Sequence, residues 1–542
     1  MKQRAQPRSA AWFRYWAWAV LVLAIVFSAA IRFRLLQVPL ERDEGEYAYA
    51  GQLILQGIPP YKLAYNMKLP GIYFAYAGIM AVFGQTIAGI HLGLIAANAA
   101  TIVLLFLLAR RIANETVGVV AAVAYAFVSL SPALLGLAAH ATHFVLLPAL
   151  GGLLLLLRGL ERDRLGAIFG AGLLLGFAFL MKQQGVFFGI FGGIYLLYCG
   201  LSKRPVRWNG MLTKILVYSA GAAIPFGASC LGLRAAGVFD RFWFWTFSYA
   251  RQYASALGLG RGLREFLANF PAYVKPTILL WIAAGLGVLE LGAEWRKWSH
   301  SAFIAGFLIF SFLAVCPGFY FRNHYFILLL PAVGVLAGLA VDRARALFVA
   351  AHSRLGWLAA AGFVAIVCFG VFQERAVLLQ LSPAAACRAI YGANPFPESL
   401  EIARFLRENS SKDAQIAILG SEPQIYFYSN RHSSTGYIYT YGLMEPHPYA
   451  LRMQREMINE IESSAPKYVV VVNVSTSWLL RPNSERLIFN WLNTYIRQHL
   501  ELQGVVDILP NEKTEYRWGK DAEGYTPRSP YSLTIFGQKA GP

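Results

Sequence analysis

Residues 144–185 read FVLLPALGGLLLLLRGLERDRLGAIFGAGLLLGFAFLMKQQG, and this stretch decides the class of fold. It consists of two apolar runs separated by a short loop that carries Arg162 and Arg164. A helix needs about 20 mostly apolar residues to cross a bilayer, and Lys and Arg collect in short cytoplasmic loops. The stretch therefore predicts two spanning helices joined on the cytoplasmic side.

The composition of the whole chain agrees with a membrane protein. Of 542 residues, 57% are apolar and only 14% are charged, and the mean hydropathy is +0.47. Soluble proteins carry about 25% charged residues, so an ordinary soluble enzyme is excluded. The net charge of +19 fits membrane lipid with anionic head groups and an anionic substrate. We expect no nucleic-acid partner, because no soluble segment interleaves basic and aromatic residues.

The charge of the short loops sets the predicted topology. If the N-terminus is cytoplasmic and the apolar segment Pro70–Phe83 lies on the outer surface without crossing, basic pairs such as Arg110–Arg111 and Lys203–Arg204 all become cytoplasmic. This arrangement predicts about 11 transmembrane helices. They lie at roughly 14–36, 87–109, 117–137, 142–157, 165–181, 185–201, 212–233, 276–293, 300–316, 325–341 and 356–373.

The polar segments divide the chain into domains. We expect a transmembrane domain over residues 1–373 with outer-face loops 37–86 and 236–275, a linker over 374–394, and a soluble extracytoplasmic domain over 395–542. In the last segment helical patterns alternate with short β-type runs, which is typical of an α/β domain. The predicted fold class is a polytopic α-helical membrane protein with a C-terminal extracytoplasmic α/β domain. The helical patterns are Glu398–Glu408 and Tyr449–Ser463, and the β-type runs are Ala414–Leu419, Tyr468–Val474, Val505–Leu509 and Ser532–Phe536.

An acidic cluster directly follows the first predicted span. Residues 41–46 read ERDEGE and hold four carboxylates within six positions. Crowded carboxylates raise the pKa of at least one of them unless cations lie nearby. A solvated interfacial loop is one explanation. The neighbouring Lys62, Lys68 and several tyrosines favour a functional site instead.

Several motifs around this cluster resemble the GT-C membrane glycosyltransferases. They are Asp43-Glu44, Tyr47-Ala48, Asn66-Met67-Lys68-Leu69-Pro70, Lys182-Gln183-Gln184-Gly185, and Arg322-Asn323-His324-Tyr325 followed by Leu330-Pro331. The most similar branch is family 39, which includes protein O-mannosyltransferases and the bacterial aminoarabinose transferase of lipid A. Together the motifs cover most of residues 1–345.

The resemblance implies a glycosyltransferase that uses a lipid-linked sugar donor. It would move a hexosyl or pentosyl group from a polyprenyl phosphate to an acceptor hydroxyl, with inversion, on the outer face of the membrane. The acceptor would be a cell-envelope glycan such as lipopolysaccharide, a lipid or a protein. The chain would lie in the inner (plasma) membrane with its C-terminal domain in the periplasm.

The resemblance also assigns roles to residues. Asp43 would be the general base, in agreement with the need of a weak hydroxyl nucleophile for a nearby carboxylate. Glu44 is the alternative base, or it orients Asp43. The departing phosphate needs cations, for which Lys68, Lys182 and Arg322 are the candidates; each could equally be a side chain that extends to the membrane interface. Gln183, Gln184, His324, Tyr325 and Tyr65 complete the predicted substrate site.

Two histidines suggest a metal site. His140 and His143 are three residues apart, so both would lie on one face of a helix. Imidazoles at this spacing can hold a divalent cation, and His324 could complete the set. Two interfacial histidines that bind water and backbone explain the pattern as well, so no cofactor is assigned.

Two other functions compete with the transferase. A secondary transporter would explain the number of spans, but transporters place polar groups at the membrane midplane and often show paired halves. A non-catalytic receptor with an external α/β domain would leave the acidic cluster unexplained. Both remain alternatives at this point.

Overall fold

The computed structural model describes residues 9–298, 300–509 and 512–539. Helices dominate the chain, and short strands occur only after residue 414 in the described ranges. The helices are α1 (Ser9–Arg34), α2 (Arg42–Leu55), α3 (Pro70–Phe83), α4 (Ile87–Ile112), α5 (Glu115–Val128), α6 (Ala141–Glu161), α7 (Leu165–Met181), α8 (Val186–Leu201), α9 (Trp208–Ala235), α10 (Phe239–Trp243), α11 (Ala250–Ser255), α12 (Leu259–Val274), α13 (Ile278–Ala293), α14 (Ser301–Leu313), α15 (Leu330–Ala351), α16 (Trp357–Gln373), α17 (Pro383–Tyr391), α18 (Glu398–Glu408), α19 (Gln424–Ser429), α20 (Tyr441–Met444), α21 (Ala450–Ser464), α22 (Ser475–Trp478) and α23 (Leu487–His499).

The predicted membrane spans all overlap helices of the structure, and the polytopic helical fold is confirmed. Within the described residues, 7 helical segments are long and apolar enough to cross a membrane. The remaining predicted spans correspond to the shorter apolar helices α5, α7, α14 and α16. The segment Pro70–Phe83 is also a short apolar helix, α3.

The chain forms two compact units. The first, here called the helical unit, comprises residues 9–36, 91–229 and 256–381. The second, the mixed unit, comprises residues 37–90, 230–255 and 382–539, so it combines the first predicted outer-face loop and part of the second with the C-terminal segment. Helix α17 lies in the segment that we predicted as a linker.

In the helical unit, α5 is shorter than the predicted span 117–137. It ends at Val128, and the chain continues to His140 without an α-helix, through the short 3-10 helix Pro132–Leu134. Buried backbone outside a helix needs other hydrogen-bond partners. Arg32, which is 4% exposed, supplies them by donating to the carbonyl oxygens of Ser129 (2.7 Å) and Gly136 (2.8 Å). Hydropathy alone does not reveal this contact across the sequence.

In the mixed unit, the described residues form a six-stranded sheet. Its strands are β1 (Gln415–Leu419), β2 (His432–Ser433), β3 (Tyr468–Asn473), β4 (Leu500–Asp507), β5 (Glu515–Trp518) and β6 (Ser532–Gln538). The order is β2-β1-β3-β6-β4-β5, with β1 parallel to β2 and β3 and all other pairs antiparallel. The predicted helices and β-type runs are present, whereas the short edge strands β2 and β5 carry too few residues to give an alternating pattern.

The sheet and the helices between its strands (residues 395–539) are here called the sheet domain. Helix α2, which carries the acidic cluster, packs on helix α19 of this domain. Arg42 pairs with the fully buried Glu422 (Nη2 to Oε1, 2.7 Å) and also donates to the carbonyl oxygen of Ser421 (2.9 Å). A Cβ on Gly45 would lie 2.6 Å from the backbone nitrogen of Gln424, so only glycine permits this approach. The C-terminal segment therefore fixes the start of α2.

We predict that Glu422→Ala destabilises the protein strongly. Removal of one partner of a buried ion pair leaves the other charge uncompensated, which costs about 3–5 kcal/mol. The matched control is Glu401→Ala, which breaks a more exposed pair with Arg404 and should cost less than about 1 kcal/mol. Thermal unfolding in detergent measures both. Equal melting temperatures for the two variants would contradict a structural role for the Arg42–Glu422 pair.

Candidate active site

The four carboxylates of residues 41–46 have different surroundings. Glu41 and Glu44 form a capping box: the Glu44 N–H donates to Glu41 Oε1 (2.9 Å), and the Glu41 N–H donates to Glu44 Oε2 (3.3 Å). Glu41, Glu44 and Glu46 are 8%, 1% and 0% exposed. Only Asp43 is less buried, since its side chain is 16% exposed. The crowded cluster therefore presents one carboxylate outward from the first turn of α2.

Asp43 lies among hydrogen-bond donors. The ammonium group of Lys68 and the hydroxyl group of Tyr439 each donate to Asp43 Oδ1 at 3.1 Å. Lys68 also donates to the Tyr47 hydroxyl oxygen (3.3 Å). Burial alone would lower the pKa of Lys68, but the charges of Asp43 and Glu46 outweigh it and raise that pKa. Lys68 is therefore a cation, and an ion pair lies at the candidate site.

Glu46 supports the segment that carries Lys68. Its carboxylate accepts hydrogen bonds from the Asn66 amide (2.7 Å) and from the Tyr73 hydroxyl group (2.5 Å). Burial raises the pKa of Glu46 to about 8, against the opposing effect of Lys68. Burial thus works against ionisation of Glu46, whereas the Asp43 carboxylate lies in direct contact with the ammonium of Lys68.

The helical unit brings together a second group of predicted residues. The rings of His140 and His324 stack with their centroids 4.3 Å apart, and His324 meets Tyr325 edge to face at 4.8 Å. The Lys182 ammonium lies 4.4 Å from the centroid of the Tyr325 ring. Lys182 is only 8% exposed, so it is not a side chain extended to an interface. Four residues from three separate motifs form one cluster.

The other predicted residues have different contacts. Gln184 is 4% exposed in the short 3-10 helix Gln183–Gly185, and its Oε1 atom has no partner in the described part of the chain. The Arg322 guanidinium lies 5.5 Å from the Tyr320 ring. His143 is buried in the first turn of α6. Tyr65 belongs to an aromatic cluster with Trp245 and donates to Glu460 Oε1 (3.0 Å).

Sequence reasoning missed Tyr439. It lies 396 positions from Asp43 along the chain, in the loop between β2 and α20. Its only signal is the run Tyr437-Ile438-Tyr439-Thr440-Tyr441, which leads from the loop into the first residue of α20. Aromatic residues in such a run are usually assigned to packing, so the hydrogen bond to Asp43 could not be predicted.

A family model matches part of the chain. Residues 68–224 match the model of the family described as dolichyl-phosphate-mannose-protein mannosyltransferase. No curated protein sequence matches significantly. The family match covers the segment that contains Lys68 and Lys182.

Solved structures of two enzymes are similar over nearly the whole chain. ArnT from Cupriavidus metallidurans in the apo state has a TM-score of 0.59 at 15% identity, covering 99% of this chain and 100% of that chain. The archaeal oligosaccharyltransferase AglB from Archaeoglobus fulgidus, in complex with an inhibitory peptide and a dolichol-phosphate, has a TM-score of 0.57 at 12% identity, covering 94% and 74%. A second ArnT structure is bound to undecaprenyl phosphate and covers 96% of this chain at a TM-score of 0.58 and 15% identity.

The resemblance predicted from the sequence motifs is confirmed by the family model and by these structures. At such low identity the structural likeness concerns the fold. This multi-pass membrane protein has the fold of the GT-C glycosyltransferases.

Proposed function

We propose that the protein is a membrane glycosyltransferase that moves a sugar from a polyprenyl-phosphate donor to an acceptor hydroxyl on the outer face of the membrane. One observation carries the proposal. Of the four carboxylates in residues 41–46, only Asp43 is not buried, and it lies 3.1 Å from the ammonium of Lys68. The lipid phosphates named in the AglB and ArnT structures support a donor of this class.

Asp43 acts as the general base in this proposal. The acceptor oxygen attacks the anomeric carbon from the face opposite the phosphate, so the configuration inverts. The new carbon–oxygen bond forms, the bond from the anomeric carbon to the phosphate oxygen breaks, and the electron pair leaves with the polyprenyl phosphate. The acceptor proton passes to Asp43, whose carboxylate Lys68 and Tyr439 orient. Glu44 is held in the capping box, which favours a structural role for it.

Lys68 can meet the leaving phosphate without releasing Asp43. A lysine ammonium has three N–H donors. Two of them point to Asp43 Oδ1 and to the Tyr47 hydroxyl oxygen, so one remains for a phosphate oxygen. The helical unit offers a further cation, Lys182, which with Gln183 and Gln184 is our candidate for contacts to the lipid-phosphate donor.

A divalent cation would bind at the stacked histidines His140 and His324. Their two rings supply nitrogen donors, the ligand type that Zn²⁺ and related ions favour. Zinc is present in one structure of the Archaeoglobus fulgidus oligosaccharyltransferase. When bound, such an ion supplies positive charge for a phosphate. The protein residues carry the proton transfer.

We predict that Asp43→Asn lowers the transfer rate about 10²–10⁴-fold, because the amide keeps the shape of the carboxylate but cannot accept the proton. Transfer is measured as release of polyprenyl phosphate from polyprenyl-phosphate hexoses and pentoses by purified protein in nanodiscs. The matched control is Glu44→Gln, since glutamine also completes a capping box and should leave the rate within a few-fold of wild type. If only Glu44→Gln loses activity, Glu44 is the base and Asp43 is not. Full activity in both variants would contradict an acidic active site.

We also predict that Lys68→Ala weakens binding of undecaprenyl phosphate by about 10–150-fold, the loss expected for one hydrogen bond to a charged group. Lys62→Ala removes an exposed lysine from the same segment and serves as the control. Binding is titrated with purified protein in detergent, and melting temperatures check that both variants are folded. If the two variants bind equally well, Lys68 does not contact the phosphate.

A further inference from the structure

We propose that a basic cavity in the helical unit binds the head group of an anionic phospholipid. The cavity has a volume of about 1100 Å³ and lies where the C-terminal ends of α6 and α8 meet the N-terminal ends of α7 and α9. Its lining includes the loop residues Lys203, Arg204 and Arg207. None of the residues assigned to donor binding or catalysis lines it, so the proposal does not rest on the proposed function.

The charge of the cavity is positive. Its two carboxylates are already paired: Glu161 with Arg111 (Nε to Oε1, 3.0 Å) and Asp163 with Lys214. The pKa of Asp163 is lowered chiefly by Lys214, with smaller contributions from Lys203 and Arg207. Cations therefore outnumber carboxylates around this residue. Across the described ranges, Lys203, Arg204 and Arg207 form no ion pair with a carboxylate. Three cations without a carboxylate at ion-pair distance in the described ranges therefore line one cavity.

Part of the lining is apolar, which favours a lipid over a small free anion. Leu157, Leu160, Leu165, Leu196 and Met211 contribute side chains to the same cavity. A phosphate ion would gain nothing from these groups, whereas a phospholipid places its phosphate on the cations and its acyl chains against the leucines. Half-exposed Tyr198 adds the amphipathic ring that is common at membrane interfaces.

The position in the chain agrees with this ligand. Residues 162–164 and 202–207 are the loops that the distribution of basic residues predicts on the cytoplasmic side. Anionic lipids attract basic segments on that side, and basic pockets between spanning helices bind anionic head groups. Part of the net charge of +19 is thus located at this cavity.

The test is native mass spectrometry of the purified full chain titrated with phosphatidylglycerol, cardiolipin or phosphatidylcholine. We expect the two anionic lipids to bind in preference to phosphatidylcholine. The variant Lys203→Gln/Arg204→Gln/Arg207→Gln should lose affinity for them on the order of 100-fold. The control Arg296→Gln/Arg345→Gln/Arg354→Gln removes three exposed cations that do not line the cavity and should bind nearly as the wild type does.

Three outcomes would overturn the proposal. Equal affinity of the wild type for phosphatidylcholine would show that the head-group charge is irrelevant. Equal losses in the variant and the control would show that net charge, not the cavity, attracts the lipid. Displacement of the lipid by inorganic phosphate would identify a small-anion site. A measurement on the wild type alone supplements the variants, since rising salt should weaken binding of the anionic lipids.

Discussion

Like charges held close together in a dry environment cannot all remain ionised, and this constraint shapes the candidate site. Four carboxylates stand within six positions at the start of α2. Glu41 and Glu44 bind backbone N–H groups, and Glu46 is buried with a raised pKa and accepts from Asn66 and Tyr73. Asp43 is the least buried of the four, and its carboxylate contacts the ammonium of Lys68. Burial thus distinguishes one carboxylate, the proposed base, from three chemically similar groups.

The sheet domain holds this arrangement in place within the mixed unit. The Arg42–Glu422 pair and the close approach at Gly45 fix the first turn of α2, and Tyr439 reaches Asp43 directly. A C-terminal segment without a recognisable motif of its own is therefore part of the construction of the site. Since α2 carries the proposed base, changes in the sheet domain should affect chemistry as well as stability.

Local patterns could be predicted from the sequence, and long-range contacts could not. Long apolar runs locate the spanning helices because hydropathy is a local property, and the boundaries of α3 and α18 agree with the structure residue for residue. The early end of α5 depends on Arg32, about a hundred positions away. His140 and His143 suggest a pair at helical spacing, but His140 is the N-cap of α6, so its side chain leaves the helix and stacks on His324. Tyr439 was missed for the same reason, as its partner is remote in sequence.

Asp43 and Lys68 are the proposed reaction centre for a lipid phosphate. The most direct measurement is a cryo-electron microscopy structure of the wild-type protein in nanodiscs with undecaprenyl phosphate. We expect phosphate density within hydrogen-bond distance of Lys68 Nζ, about 2.7–3.2 Å, with Asp43 Oδ2 not covered by the lipid. Phosphate density that is well defined but remote from Lys68 would rule out this pair as the reaction centre.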